Sequence, residues 1–202
     1  MNYAKELKVK IEEIKNEGIR PRLLLHACCA PCSSYVLEYL CSVFDITLYF
    51  YNPNIYPEKE FVFRHAELIR LLGEMGLPIT IVSEKYDASQ FFDAVKGLEN
   101  EPEGGERCFK CYELRLSAAV EHADKNGFDY VTTTLSISPH KNAERLNEIG
   151  KKLTEGKRVK YLFSDFKKNE GYKRSIELSK QYDLYRQDYC GCIFSKNKKE
   201  KV

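Results

Sequence analysis

A chain of 202 residues with 43% hydrophobic and 31% charged side chains holds enough apolar material for one sizeable core and is too hydrophobic to be intrinsically disordered. Its 32 Lys and Arg against 30 Asp and Glu leave a formal charge of +2, so any surface that binds a polyanion must be local. The sequence has no apolar run of membrane-spanning length, and Met1 to Ile14 is charged and amphipathic, which argues against an export signal and predicts a soluble, cytoplasmic protein with no membrane partner.

Leu7, Ile11 and Ile14 recur at helical spacing, so Tyr3 to Asn16 is expected to form an amphipathic helix that Gly18 stops. Arg22 to Ala27 is a short apolar run, expected as a strand. After Cys28 to Cys32 a helix capped by Ser33 or Ser34 is expected to bury Val36, Leu37, Leu40 and Cys41. Asp45 to Tyr51, β-branched and aromatic, reads as a second strand. Pro57 opens a long helix through Phe61, Leu68, Ile69, Leu72 and Met75, ended by Gly76 and Pro78, and Ile79 to Ser83 is the third strand. Asp87 to Lys96 reads as a short helix, and Gly97 to Arg107, rich in glycine and glutamate, as a loop. A helix from Cys108 to Lys125, a strand from Tyr130 to Thr134, a helix from Ala143 to Leu153, a strand from Val159 to Phe163 and a helix from Tyr172 to Gln181 follow. Strands alternating with helices predict a single α/β domain over residues 1–202, a parallel sheet of about five strands with helices on both faces. Residues 196–202, with Lys196, Lys198, Lys199 and Lys201, read as a basic, frayed tail. A second basic stretch is Lys151, Lys152, Lys157, Arg158 and Lys160. By charge alone both are solvated surface.

Eight cysteines in an unexported chain point to metal or redox chemistry rather than structural disulfides. Seven fall into three groups, Cys28, Cys29 and Cys32, then Cys108 and Cys111, then Cys190 and Cys192, while Cys41 sits on an apolar helix face and reads as core. The first group occupies the turn from first strand to following helix, where open α/β sheets bind ligands and a helix N-terminus favours thiolates. Cys108 and Cys111 repeat the arrangement, and four thiolates from the two turns suit either a structural zinc or an iron-sulfur cluster. Cys190 and Cys192, separated by one glycine, suit an easily reduced disulfide or metal ligation, with Asp188 nearby as a third ligand or a proton donor.

The strings Leu25-His-Ala-Cys-Cys-Ala-Pro-Cys-Ser33, Arg107-Cys-Phe-Lys-Cys-Tyr-Glu-Leu-Arg115 and Tyr189-Cys-Gly-Cys-Ile-Phe-Ser195 resemble the three cysteine signatures of the QueH type of epoxyqueuosine reductase. Tyr51-Asn-Pro-Asn-Ile-Tyr-Pro57 and Thr132-Thr-Thr-Leu-Ser-Ile-Ser-Pro-His-Lys141 resemble two further segments of that family, so the likeness spans residues 22–195. The resemblance implies an adenine-nucleotide α-hydrolase-like, Rossmann-like fold and an oxidoreductase without cobalamin. Its implied reaction is removal of the epoxide oxygen from epoxyqueuosine at the wobble position of a tRNA anticodon, the last step of queuosine biosynthesis. It further implies a 4Fe-4S cluster on Cys28, Cys29, Cys108 and Cys111 and a redox-active pair at Cys190 and Cys192, with an external electron donor. Cys32 and Asp188 are candidate ligands of a second, mononuclear iron. Forming an alkene from an epoxide takes two electrons and two protons, and His140 and Asp188 are the preferred proton donors, ahead of His26 and Tyr189. Tyr51, Tyr56 and Tyr112 are candidates for stacking on a splayed base, and the two basic stretches for contacting phosphates. The alternatives are a zinc-stabilised RNA-binding module without catalysis, another iron-sulfur tRNA-modifying enzyme, an ATP-using enzyme of the same fold, which the absence of a glycine-rich phosphate loop weakens, and a thiol-disulfide oxidoreductase.

Overall fold

The computed structural model describes residues 2–199 and contains eight helices and five strands within them. In chain order these are α1 (Tyr3–Glu17), β1 (Arg22–His26), α2 (Ala30–Leu40), β2 (Asp45–Phe50), α3 (Glu58–Glu74), β3 (Thr80–Ser83), α4 (Ser89–Ala94), α5 (Glu106–Lys125), β4 (Tyr130–Thr133), α6 (Ala143–Thr154), β5 (Lys160–Tyr161), α7 (Gly171–Gln181) and α8 (Ile193–Lys199). All strands are parallel, in the order β3-β2-β1-β4-β5. The chain builds outward from β1 to β3, then returns to pair β4 with the other side of β1. The order reverses between β1 and β4, and a crevice opens at their carboxyl ends, where this topology binds ligands.

β1 is the central strand, and its side chains from Leu23 to His26 are buried on both faces, as a parallel sheet under two helix layers requires. Leu23 and Leu25 join the core formed with α1, α2 and α3, and Leu24, pointing the other way, joins that formed with α5 and α6. Full burial of each leucine is worth about 1.5–3 kcal/mol, which fixes the strand and the cysteine turn after it. Gly150 lets α6 lie against Tyr161, since a Cβ there would stand 2.2 Å from the ring.

The structure departs from the expected elements in four places. α2 starts at Ala30, with Cys29 as the N-cap and Pro31 in the first turn. Ser33 and Ser34 are therefore not caps but lie inside the helix, their hydroxyls donating to the carbonyls of Cys29 and Pro31. Ile69 is 52% exposed, because α3 turns Phe61, Leu68, Leu71 and Leu72 inward and leaves position 69 outside. β5 is two residues long, paired only with Tyr130 and Val131 of β4, and beyond it the Leu162 carbonyl accepts from the Thr132 hydroxyl. Ile193–Lys199, expected to be mostly tail, is helical, with Phe194 packed on Phe91 and Phe92. The remainder of the expected tail, residues 200–202, lies outside the described residues. Cys41 is half-buried at the end of α2 against the core. Among the described residues no helix is long and apolar enough to cross a membrane.

Candidate metal centre and cleft

A cleft of about 1150 Å³ opens at the β1/β4 switch. Its walls include Cys28 from the β1–α2 turn and Cys32 from the first turn of α2, His140 and Lys141 from the segment after β4, and Asp188 and Cys190 from the segment before α8. Three regions far apart in sequence thus meet where the topology alone would put a ligand.

The sulfurs of Cys28, Cys29 and Cys32 all lie within 4.8 Å of one another, those of Cys28 and Cys29 at 3.7 Å. The Cys28 amide and sulfur face the Thr134 hydroxyl at 3.4 and 3.6 Å, and Gln187 Nε2 donates to Cys29 Sγ at 3.1 Å. Hydrogen bonding from Cys29 and Cys32 holds the Cys28 thiol well below the ordinary range, with Lys141 and Arg115 adding positive charge. The same bonding pushes Cys29 up to about 11 and Cys32 up as well, since a thiol that donates to a neighbouring thiolate resists ionising. Burial pulls the Lys141 ammonium down, but the attraction of Cys190, Cys28 and Cys32 outweighs it and keeps the group charged.

Cys108 and Cys111 stand one turn apart at the start of α5. Cys108 Sγ accepts from the Gly104 amide at 3.2 Å, and burial pushes the Cys111 thiol up to about 11. Neither sulfur joins the group within 4.8 Å formed by the β1–α2 turn. Arg115, one turn beyond Cys111, is 2% exposed. It donates to Asn52 Oδ1 at 2.5 Å and reaches Cys111 Sγ at 4.0 Å, while its Nε is buried without a partner. Among the described residues it pairs with no carboxylate, and the anionic groups that raise its pKa are the thiols of Cys111, Cys28 and Cys190. A buried guanidinium is costly without a counter-charge. Thiolates around a metal supply one, so the donor set fits an anionic, thiolate-bound group such as an iron-sulfur cluster.

The third cysteine group is held differently. No strand leads into it. The Tyr56 amide donates to the Gly191 carbonyl at 2.8 Å, and Arg64, 2% exposed, donates to the Cys190 carbonyl at 3.3 Å from above the Tyr189 ring. Gly191 has φ 120°, a conformation for glycine, and a Cβ there would meet Arg64 Nη1 at 3.1 Å. Ser195 links this segment to the loop before α5, accepting from the Cys190 amide and donating to Glu103, both at 3.2 Å. Cys190 lines the cleft, whereas Cys192 is buried beside Phe91, Val95 and Cys111, and burial pushes its thiol up to about 12.

The other expected site residues divide between cleft and core. His140 and Asp188 are exposed on the cleft wall. His26 is fully buried, bonded to Thr133 Oγ1 at 2.8 Å and the Tyr51 carbonyl at 3.1 Å, and burial pushes it down to about 3, so it is a neutral pin between three strands. Tyr51 and Tyr112 are buried, and Tyr56 is 41% exposed. Thr132 bonds the Leu162 carbonyl. The stretch Lys151 to Lys160 lies at the end of α6 and the start of β5, at the amino ends of the strands, the opposite end of the sheet from the cleft. Lys141, Arg64, Arg115 and Gln187 are site residues that motif reading passed over. Arg115 was findable, because four- and seven-residue spacing puts it on the same helix face as Cys111 and Cys108.

The family model for epoxyqueuosine reductase QueH matches residues 23–198. The chain is 42% identical over 199 residues to the epoxyqueuosine reductase QueH of Streptococcus pyogenes serotype M1, covering 96% of this chain and 78% of that protein. It is 42% identical over 202 residues to that of Staphylococcus aureus strain Mu50, covering 96% and 84%. Against that of Thermotoga maritima it is 34% identical over 174 residues, covering 86% and 89%. Among solved structures, a U34-tRNA thiolase NcsA from Methanococcus maripaludis with its [4Fe-4S] cluster overlays at a TM-score of 0.49 with 13% identity, over 98% of this chain and 71% of that one. The family model's span over the cysteine groups and the level of identity to these relatives lead to one conclusion: the chain belongs to the QueH family of epoxyqueuosine reductases.

Proposed function

We propose that this oxidoreductase takes epoxyqueuosine at the wobble position of a cytoplasmic tRNA and returns queuosine, with loss of the epoxide oxygen as water. The observation that carries the reading is the convergence of Cys28, Cys32 and Cys190 on one cleft that also presents His140 and Asp188. A 4Fe-4S cluster held by Cys28, Cys29, Cys108 and Cys111 supplies, when bound, electrons one at a time to a reaction that needs two. Arg115 and Lys141 offset the negative charge of these thiolates, Gln187 orients Cys29, and the Thr134 hydroxyl orients Cys28. The His140 imidazole and the Asp188 carboxyl deliver protons to the departing oxygen. Cys190, open to the cleft, and Cys192, buried behind it, form the proposed redox pair, which in the competing route supplies the two electrons in place of the cluster, ends as a disulfide and is re-reduced by an external donor. Where a second, mononuclear iron is bound, Cys32 and Asp188 are its proposed ligands, and His140 is then the proton donor.

The test is single-turnover conversion of epoxyqueuosine-containing tRNA by anaerobically purified, dithionite-reduced protein, with nucleoside mass spectrometry and iron and sulfide counted in the same sample. The expected result is loss of one oxygen mass at a metal content of one four-iron cluster plus further iron. A content that never exceeds one cluster removes the mononuclear site, unchanged nucleoside with a loaded cluster removes the substrate, and a colourless zinc protein removes the redox reading.

A further inference from the structure

We propose that an exposed aromatic row along one lip of the cleft is the stacking platform for the unpaired nucleotides on either side of the modified base, a proposal that rests on the functional reading above. Phe63, Tyr185, Tyr56 and Phe92 are 47%, 37%, 41% and 39% exposed. None of the four lies inside the cleft, but Tyr56, Phe63 and Tyr185 are chain neighbours of the wall residues Ile55, Arg64 and Arg186, and Phe92 packs on Tyr56, so four exposed rings stand next to one wall where a single one would be ordinary. The Phe63 ring packs edge-on against Tyr185 at 4.9 Å, and Tyr56 edge-on against Phe92 at 6.5 Å. Tyr189, on the cleft wall, joins the two pairs, because its hydroxyl donates to the Tyr56 carbonyl at 3.2 Å and its chain segment carries Tyr185. The row is thus anchored to the same segment that brings Cys190 into the cleft.

The occupant follows from the geometry of delivery. A base that reaches the thiols through this cleft leaves its two chain neighbours at the mouth, where they meet whatever lines the lips. Aromatic faces accept bases of any identity, and such stacking is how single-stranded RNA is held. The facing lip is basic. It carries His140 and Lys141, with Lys168 exposed nearby, while Lys167, which donates to the Lys141 carbonyl at 3.4 Å, is paired with Asp165 at 2.9 Å and adds little net charge. On the aromatic side, Glu60 is tied to Arg64 at 2.8 Å and Glu67 to Arg70 at 2.6 Å, so these carboxylates add little net charge. An RNA strand therefore fits in one sense, with its bases toward the aromatic lip and its phosphates toward the lysines.

The test measures binding of an anticodon stem-loop RNA carrying epoxyqueuosine to the loaded protein by fluorescence anisotropy, across a salt series. Phe63→Ala and Phe92→Ala should each weaken binding roughly 5- to 150-fold, the worth of one base stack, and Phe63→Tyr and Phe92→Tyr should restore it. The slope of log affinity against log salt should stay unchanged in the alanine variants and fall by about 0.7 in Lys168→Ala if that lysine meets a phosphate. Alanine variants that bind like the parent overturn the platform while leaving the functional reading intact. Variants that bind and turn over once normally, but slow under multiple turnover with a protein reductant, make the row a protein docking face and also overturn the proposal. A parent protein that binds no stem-loop takes the platform and the substrate assignment down together.

Discussion

Two of the three cysteine groups are presented by opposite kinds of architecture. Cys28, Cys29 and Cys32 follow the most buried strand of the sheet directly, so their positions are inherited from the register of β1 against β2 and β4. Cys190 and Cys192 have no strand behind them and hang on side chains, chiefly Arg64, Ser195 and the Tyr56 amide. Rigid presentation suits a group that holds a cofactor, and tethered presentation suits one that must meet a substrate the size of tRNA. The difference teaches that the same residue type at similar spacing can be fixed by topology in one place and by a few polar contacts in another.

The largest expected effect comes from breaking the rigid side. Cys28→Ala should abolish the iron-linked absorbance near about 400 nm and all reductase activity while leaving the thermal unfolding midpoint within a few degrees, because the sulfur is not what holds β1 in place. Absorbance, iron content and a melting curve on the same sample decide it. Next comes the tether. Arg64→Met strips the Cys190 carbonyl of its donor and leaves Glu60 without its cation; loss of one partner of a buried pair costs about 3–5 kcal/mol. Single-turnover rate should fall on the order of 100-fold with iron retained, with Arg64→Lys recovering part of it, since a point charge replaces the fork incompletely.

Arg115→Met sharpens the comparison without disturbing the tether. Removing a buried positive charge near the thiols disfavours the reduced, more negative state, so the reduction potential should fall by about 60 mV, a tenfold shift for one electron. An unchanged potential in a fully loaded variant denies the charge-compensating role. The smallest effect is acid loosening of the tether. Glu67 is held below its ordinary value by its hydrogen bond to Arg70, and it accepts from the Tyr185 amide at 3.0 Å. A carboxyl depressed in the folded state contributes stability above its unfolded pKa and loses it as pH falls through the folded value. Amide exchange of residues 183–190 should therefore rise below about pH 4.5 before the sheet responds, and Glu67→Gln should show the same loosening at pH 7, worth about 1 kcal/mol or less given the exposure of Arg70.

The same contrast explains what could be read from the chain beforehand. β1, β2 and the cysteine turn were legible because apolar runs, β-branched residues and strand–helix alternation are local signals. The edges of elements were not, as at Ser33 and Ser34, where Pro31 starts the helix earlier than a capping preference suggests. The cysteine motifs pointed to the right family, yet nothing local says that Cys190 and Asp188 share a cleft with Cys28, because the contacts that bring them there run through Arg64, 126 residues away from Cys190. Buried cations escape sequence reading for the same reason. Arg115 looks like an ordinary surface residue until the sheet closes over it.

Arg107 has a consequence for how the substrate approaches. Its buried guanidinium gathers the carbonyls of Leu98, Glu99 and Glu101, at 3.4, 2.9 and 2.5 Å, and so pins the loop before α5. Of the loop's exposed carboxylates, Glu99 and Glu103, the second stands on the cleft wall and is thereby held there as a fixed negative charge. With Glu103 and Lys141 both on the wall, a polyanion is repelled at one point of the cleft and attracted at another, which favours one orientation of approach. The arrangement shortens the orientational search rather than tightening the final grip, so added salt should slow arrival far more than it speeds departure.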